Sequence, residues 1–118
     1  MKYLAAAVVV VLATATLGCD AERKQECDKF ISAMKPLDQG TPTADTVDRV
    51  SQQVGALNAK DQPLSIYAEN YRKTLASLSS TLRLQADPSA PDGTDDAIRS
   101  RLKEARTDSV DVQRYCAE

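Results

Sequence analysis

The strongest constraint on the fold of this chain is the spacing of apolar residues in its middle third. They follow each other at alternating intervals of four and three: Leu64, Ala68, Tyr71, Leu75, Leu78 and Leu82. This is the spacing of the a and d positions of a helix that packs in a bundle. The sequence therefore predicts a long amphipathic helix from Asp61 to about Ala86, whose apolar side is widened by Tyr67.

Two shorter segments before it also show helical spacing. The first runs from about Asp20 to Lys35 and ends at Pro36, and the second runs from about Thr43 to Asn58. Thr41 is the predicted N-cap of the second helix, with Pro42 in its first turn. Apolar residues recur every three or four positions in both segments: Cys27, Phe30, Ile31 and Met34, then Val47, Val50, Val54 and Leu57. Each segment therefore presents one apolar side to a core.

A fourth helical segment follows the loop 87–93, which is rich in Pro, Asp and Gly. Thr94 is its predicted N-cap, and Asp95 and Asp96 lie in its first turn, where the helix dipole favours negative charge. Its apolar spacing continues almost to the end of the sequence: Ile98, Leu102, Ala105, Val112 and Cys116. Ser109 interrupts this stripe, and the low helix propensity of the residues around it allows a kink.

Four amphipathic helices joined by short loops predict an all-α fold, an antiparallel up-down four-helix bundle. A β-sandwich is disfavoured because the chain has no Trp, one Phe and 4% aromatic residues.

Residues 1–18 form a separate unit of different composition. Met1-Lys2-Tyr3 carries one charged side chain and precedes an uncharged run from Leu4 to Leu17, after which polar residues begin at Asp20. A charged start, an apolar run and small residues at the boundary define a secretory signal peptide. Because the run is shorter than the roughly 20 residues of a transmembrane helix, a retained anchor is the weaker interpretation. Cleavage leaves one helical domain over residues 19–118.

The boundary Thr16-Leu17-Gly18-Cys19 resembles the lipobox of bacterial lipoproteins, in which a small residue precedes the lipid-accepting cysteine. Thr16 departs from the pattern, since that place usually holds Leu. The resemblance implies that Cys19 carries a diacylglyceryl thioether, with an N-acyl chain such as palmitate in many species. It also implies an anchor in a bacterial membrane, facing the periplasm or the cell surface. Ala13-Thr14-Ala15 offers an alternative, because it fits an ordinary signal-peptidase site that would release the chain without lipid.

With Cys19 lipidated, Cys27 and Cys116 remain as an even pair in an oxidising compartment. They lie near opposite ends of the mature chain, so a disulfide between them would join the first helix to the last. A metal site or free thiols are the competing interpretations, but two cysteines without histidine make a poor zinc site.

Several classes of function are disfavoured by composition. The chain has no histidine, which excludes Ser-His-Asp and Cys-His nucleophile systems. It has no C-x-x-C for thiol exchange and no C-x-x-C-H for haem. Removing residues 1–18 discards Lys2 and leaves 14 basic against 17 acidic side chains, a formal charge of −3 that argues against nucleic acid as a partner. We therefore expect that the protein is not an enzyme and that it binds no cofactor and no metal ion.

Two groups of side chains are candidates for binding. Tyr67 and Tyr71 lie one helical turn apart and could stack on a ligand, although such pairs more often fill a core. Four basic residues lie on the last helix: Arg99, Arg101, Lys103 and Arg106. Acidic residues are interleaved with them, which favours a solvated helix face over an anion site.

The mature chain as a whole resembles small helical lipoproteins and secreted proteins of Gram-negative bacteria, including myxobacteria. The resemblance is carried by Glu26-Cys27-Asp28-Lys29-Phe30-Ile31, Tyr67-Ala68-Glu69-Asn70-Tyr71 and Tyr115-Cys116. It implies a location and a fold but no activity.

Two functional hypotheses remain. The first is a lipid-tethered interaction module that docks on another envelope protein through a helix face. The second is a carrier of a small apolar or aromatic ligand near Tyr67 and Tyr71. The predicted core consists mostly of Leu, Val and Ala, which indicates close packing without a cavity and favours the module.

Overall fold

The computed structural model describes residues 21–118, and within them every regular element is helical. The described part of helix α1 covers residues 21–34 and continues into a 3-10 turn at Lys35–Leu37. Three further helices follow: α2 at Ala44–Leu57, α3 at Gln62–Gln85 and α4 at Thr94–Ala117. The helices pack around one core, which confirms the predicted all-α bundle. The predicted signal peptide and Cys19 lie outside the described residues.

The N-cap of helix α2 lies two residues after the predicted one. The N-cap is Thr43, whose side chain accepts a hydrogen bond from the Thr46 backbone amide at 3.2 Å, so the assignment of Thr41 was wrong. Pro42 therefore precedes the cap and does not occupy the first turn. Thr43 is extended (φ −81°, ψ 159°), as an N-cap residue must be for its side chain to reach the first turn. The helix ends at Asn58, which adopts the left-handed conformation that terminates many helices.

Helix α3 has the predicted boundaries. The Asp61 carboxylate accepts from the backbone amide of Leu64 at 3.3 Å, and Pro63 lies in the first turn, where a missing amide costs nothing. The helix ends at Gln85, with Ala86 as its C-cap.

Helix α4 begins with Gly93 as its N-cap, so the prediction that Thr94 caps it was wrong. Gly93 has a positive φ of 89°, a conformation that glycine adopts without strain. Thr94 is the first helical residue, and its hydroxyl donates backwards to the Pro91 carbonyl at 2.6 Å. Asp95 and Asp96 lie in the first turn as predicted. The helix continues without interruption past Ser109, which is buried in the core and accepts a hydrogen bond from the Gln113 side chain.

The core follows the predicted stripes closely. Most positions of the predicted apolar stripes are buried, while Ile31, Leu57, Ala68 and Cys116 are half-buried against the core. Helix α3 contributes the largest share of the fully buried side chains: Leu64, Tyr71, Leu75 and Leu78. Leu37, which follows Pro36 in the 3-10 turn, is also buried and closes the core beyond α1.

Contacts between distant residues show which ends of the helices meet. Glu26 of α1, Asp61 at the start of α3 and Tyr115 near the end of α4 are linked by hydrogen bonds. We call this the disulfide end. Beyond the other end of α1, Arg106 of α4 donates to the carbonyl oxygens of Leu37 and Gly40. The complete up-down-up-down order of the helices stays a prediction.

None of the helices described between residues 21 and 118 is long and apolar enough to span a membrane.

Candidate functional site

The predicted disulfide is present and joins α1 to α4. Cys27 and Cys116 are bonded, with their Cα atoms 5.8 Å apart and 89 positions between them in sequence. Cys27 is buried in the core and Cys116 is half-buried beside it. The covalent link therefore closes most of the described chain into one loop.

Tyr115 lies next to the disulfide and connects three helices. Its hydroxyl donates to Asp61 Oδ2 at 2.6 Å, and its ring packs against the ring of Tyr67 with centroids 5.7 Å apart. The guanidinium of Arg23 lies 4.7 Å from the centroid of the Tyr115 ring and donates to its carbonyl oxygen at 3.2 Å. The hydrogen bond to Asp61 is the largest cause that raises the pKa of the Tyr115 hydroxyl.

Glu26 ties α1 to the connection between α2 and α3. Its two carboxylate oxygens accept from consecutive backbone amides, Lys60 N at 2.6 Å and Asp61 N at 3.2 Å. These amides precede the first turn of α3, so Glu26 satisfies donors that the helix itself leaves without partners. Asp61 therefore donates its backbone amide to Glu26, and its side chain accepts from the hydroxyl of Tyr115.

The three segments that carry the whole-chain resemblance meet at this end. Cys27 bonds Cys116, Tyr67 packs on Tyr115, and one turn deeper the ring of Phe30 lies 6.1 Å from that of Tyr71. Their shared role in this structure is to hold the disulfide end together.

Tyr67 and Tyr71 face different surroundings. Tyr71 is 1% exposed and belongs to the core, whereas Tyr67 is half-buried against Tyr115. Burial is the main cause that raises the pKa of the Tyr71 hydroxyl, and the nearby charges of Asp38 and Asp108 raise it further. The structure therefore does not bring the two rings together as the walls of one groove, and their ligand role stays a prediction.

The basic residues of α4 are largely engaged within the chain. Arg99 pairs with Asp96, and Arg101 pairs with Glu104 at 3.1 Å. Arg106, as described above, donates to two carbonyl oxygens of the α1–α2 connection. Arg99 and Arg101 pair locally, as expected for a solvated helix face, whereas the long-range contacts of Arg106 could not be predicted from the sequence.

A polar cluster between α2 and α3 was also missed by sequence reasoning. Asp48 Oδ1 accepts from the hydroxyl of Ser79 at 2.6 Å, and Oδ2 accepts from Arg83. The hydrogen bonds from Ser79 and Arg83 lower the pKa of the Asp48 carboxyl. Ser79 occupies a position on the apolar side of α3, so only the partner 31 residues away explains a buried hydroxyl there.

An open groove of about 440 Å³ runs between α2 and α3. Its apolar floor includes Val54 and Ala68, and Arg72 crosses it from α3. The guanidinium of Arg72 lies against Gly55 in the last turn of α2, where a Cβ atom would come within 2.7 Å of Arg72 Cζ. The Arg72 Nε donates to Ser51 Oγ at 3.4 Å.

Arg72 takes part in none of the ion pairs formed between residues 21 and 118. The neighbouring Lys73 pairs with Glu69 at 3.4 Å, so the groove carries one uncompensated positive charge. The arrangement can hold an anionic group above an apolar floor.

Further concave surfaces lie on the outside of the described bundle, and two of them are mainly apolar. One of about 540 Å³ lies between α1 and α2 beside Ala33 and Leu57, and the other follows the outer face of α4 around Val110, which is 49% exposed. Among residues 21–118, no group of three or more Cys, Asp or Glu side chains is arranged to hold a metal ion.

Comparison of the chain with protein-family models, with curated protein sequences and with solved structures finds no significant match.

Proposed function

We propose that the protein is a non-catalytic envelope lipoprotein, a lipid-tethered bundle that docks on another envelope protein through an outer helix face. Cys19 would hold it to a bacterial membrane, and residues 19–118 would form the domain on the periplasmic or cell-surface side. In this role the protein would need no cofactor and would bind no nucleic acid.

The observation that carries this proposal is the closed core around Tyr71. Its ring is 1% exposed and packs on Phe30, which is 0% exposed, with Leu75 and Leu78 fully buried on the same helix. A ligand held between the helices at Tyr71 would have to displace these side chains, at a cost of several kcal/mol. Recognition is therefore more easily placed on the outside of the bundle, where the grooves lie.

The tether is supported by the sequence at the boundary and by the position of α1. The part of α1 that the structure describes begins at residue 21, two positions after Cys19 in sequence, and the same helix carries Cys27 of the disulfide. A lipid on Cys19 would therefore place the disulfide end next to the bilayer. The contacts of Arg23 and Glu26 would keep the first turns of α1 fixed there.

The tether is tested by the intact mass of the protein isolated from its native envelope, with and without reductant. We expect the mass of residues 19–118 plus a diacylglyceryl or triacyl group, with a gain of two hydrogens on reduction. A mass that corresponds to residues 16–118 without lipid would refute the tether.

The docking role is tested by photocrosslinking in the intact envelope. A photoreactive amino acid placed at Ser65, Val110 or Gln53 samples three of the outer surfaces separately, the α2–α3 groove and the two mainly apolar ones. The same amino acid at the buried position of Leu78 is the negative control. One defined adduct that forms from one surface only is expected, and the absence of any adduct from all three would contradict the proposal.

A further inference from the structure

We propose that the groove between α2 and α3 is the docking surface, and that it binds an acidic peptide segment whose carboxylate pairs with Arg72. This inference rests on the proposed function as an interaction module and names the partner's chemistry. The bound segment would place a Glu or Asp side chain at the guanidinium and small apolar side chains on the floor of the groove.

The guanidinium of Arg72 lies against α2. Arg72 lies on the outer side of α3, yet its side chain turns toward α2 and rests on Gly55. Any side chain at position 55 would occupy the space that Arg72 Cζ and Nη1 now fill, since a Cβ atom would be 2.7 Å from both. Glycine is unfavourable in a helix, so α2 carries here a residue that weakens it and that admits Arg72.

The charge of Arg72 has no carboxylate partner among residues 21–118. Among residues 21–118, Arg83, Arg99, Arg101 and Arg114 each pair with a carboxylate, and Arg23 and Arg106 donate to backbone carbonyls. Arg72 and Arg49 form no ion pair within this range, and of these two only Arg72 lines the groove. Arg72 has only the hydroxyl of Ser51 at 3.4 Å, a long and neutral contact. A guanidinium presents several donors in one plane and binds carboxylates through two parallel hydrogen bonds, so most of its donors are available to a ligand.

The groove suits a peptide better than a lipid surface. The groove places the carboxylate of Glu69 beside its cations, so a uniformly anionic bilayer would meet like charge inside the groove, whereas a peptide with a single carboxylate can place it at Arg72 alone. The floor beside Arg72 consists of small or buried side chains, Val54, Ala68 and Ala76. Such a floor fits a narrow peptide segment with small apolar residues next to its acidic one.

The test is an NMR titration of the ¹⁵N-labelled protein, purified with its own N-terminus into zwitterionic detergent micelles. The probe is the capped peptide Ala-Val-Glu-Val-Ala, and the control probe is the same peptide with Gln in place of Glu. We expect saturable shifts of the Gly55 backbone amide and the Arg72 Nε–H signal with the Glu peptide only. Equal shifts with both peptides, or no saturable shift at millimolar peptide, would overturn the proposal.

Three variants separate the groove from general electrostatics. Arg72→Gln should weaken binding of the Glu peptide about tenfold, because it removes a charge-assisted pair. Gly55→Ala should weaken it severalfold by displacing Arg72, without loss of thermal stability. The matched control is Arg49→Gln, which removes an exposed arginine of α2 that lies outside the groove and should leave binding unchanged. A loss in Arg49→Gln equal to that in Arg72→Gln would show non-specific attraction and contradict the proposal.

The lipid alternative is tested in the same way with bicelles that contain phosphatidylglycerol. Shifts of Gly55 and Arg72 with these bicelles but not with the peptide would assign the groove to a lipid headgroup and overturn the proposal. Failure of the peptide to bind would leave the tether and the docking role intact, because the intact mass and the crosslinks from the other two surfaces test those independently.

Discussion

Removal of the disulfide should cost this protein a large part of its stability. In the variant with Cys27→Ala and Cys116→Ala together, the unfolded chain is no longer closed over 89 positions. On the loop-entropy relation this closure contributes about 4–5 kcal/mol to the free energy of unfolding. Domains of this size are stable by only about 5–15 kcal/mol, so the variant should be marginally folded.

The native contacts at the disulfide end remain available in this variant. Arg23 and Asp61 still contact Tyr115, and Glu26 still accepts the two amides before α3. The expected loss is therefore an effect on the unfolded chain, which becomes more expanded without the link. For the same reason, the slope of the unfolding free energy against urea should increase.

The measurement is urea unfolding followed by far-UV circular dichroism, with the oxidised protein, the reduced protein and the double variant side by side. Reduced protein and double variant should agree, and reductant should have no effect on the double variant. A stability loss below about 1 kcal/mol with an unchanged urea slope would refute the loop-entropy reasoning. The hydrogen bonds and packing around Tyr115 would then hold the two ends together on their own.

Three further predictions concern single side chains. Tyr71→Ala should lower the free energy of unfolding by about 3–5 kcal/mol. Tyr71→Phe should lower it by far less, because the buried ring and not its hydroxyl fills the core. Urea unfolding of both variants checks this. Tyr115→Phe should cost about 0.5–1.5 kcal/mol by removing the hydrogen bond to Asp61, and an unchanged urea midpoint would show that the bond is replaced by water. The pKa of Asp48 is lowered in the fold from its ordinary 3.8 by Ser79 and Arg83, so its contribution is present above pH 3.8 and is lost as the pH falls through the lowered value. Asp48→Asn should therefore flatten the acid side of the stability curve, and an unaltered acid curve would contradict this assignment.

The helices and the core could be predicted because both depend on local spacing. In α3 the predicted seam from Leu64 to Leu82 became the centre of the core, and the boundary at Asp61 was confirmed by its capping hydrogen bond. The errors fell on two helix starts. Thr41 and Thr94 have the right residue type for a cap, but α2 is capped by the extended Thr43, and the chain enters α4 through a positive φ that favours Gly93.

The disulfide could be predicted from the count and placement of cysteines, whereas the contacts around it could not. Tyr115 bonds to Asp61 across 54 positions, and Arg106 reaches Leu37 across 69. Periodicity assigns a residue to the buried or the exposed side of its own helix, but it does not say which distant side chain lies opposite. The position of Arg72 could not be predicted for the same reason. Its guanidinium rests on α2 because Gly55 of that helix has no side chain.

The proposed tether and the proposed docking groove together restrict where a partner would lie. The groove begins at Asn58 and Ser65, near the disulfide end, and Arg72 lies about 10 Å beyond Ser65 along α3 at 1.5 Å per residue. If Cys19 carries the proposed lipid, a partner segment at Arg72 would itself be close to the bilayer. A flexible insertion between Cys19 and α1 would release this restriction. It should therefore reduce crosslinking from Ser65 to a membrane-bound partner, while leaving peptide binding by the purified protein unchanged.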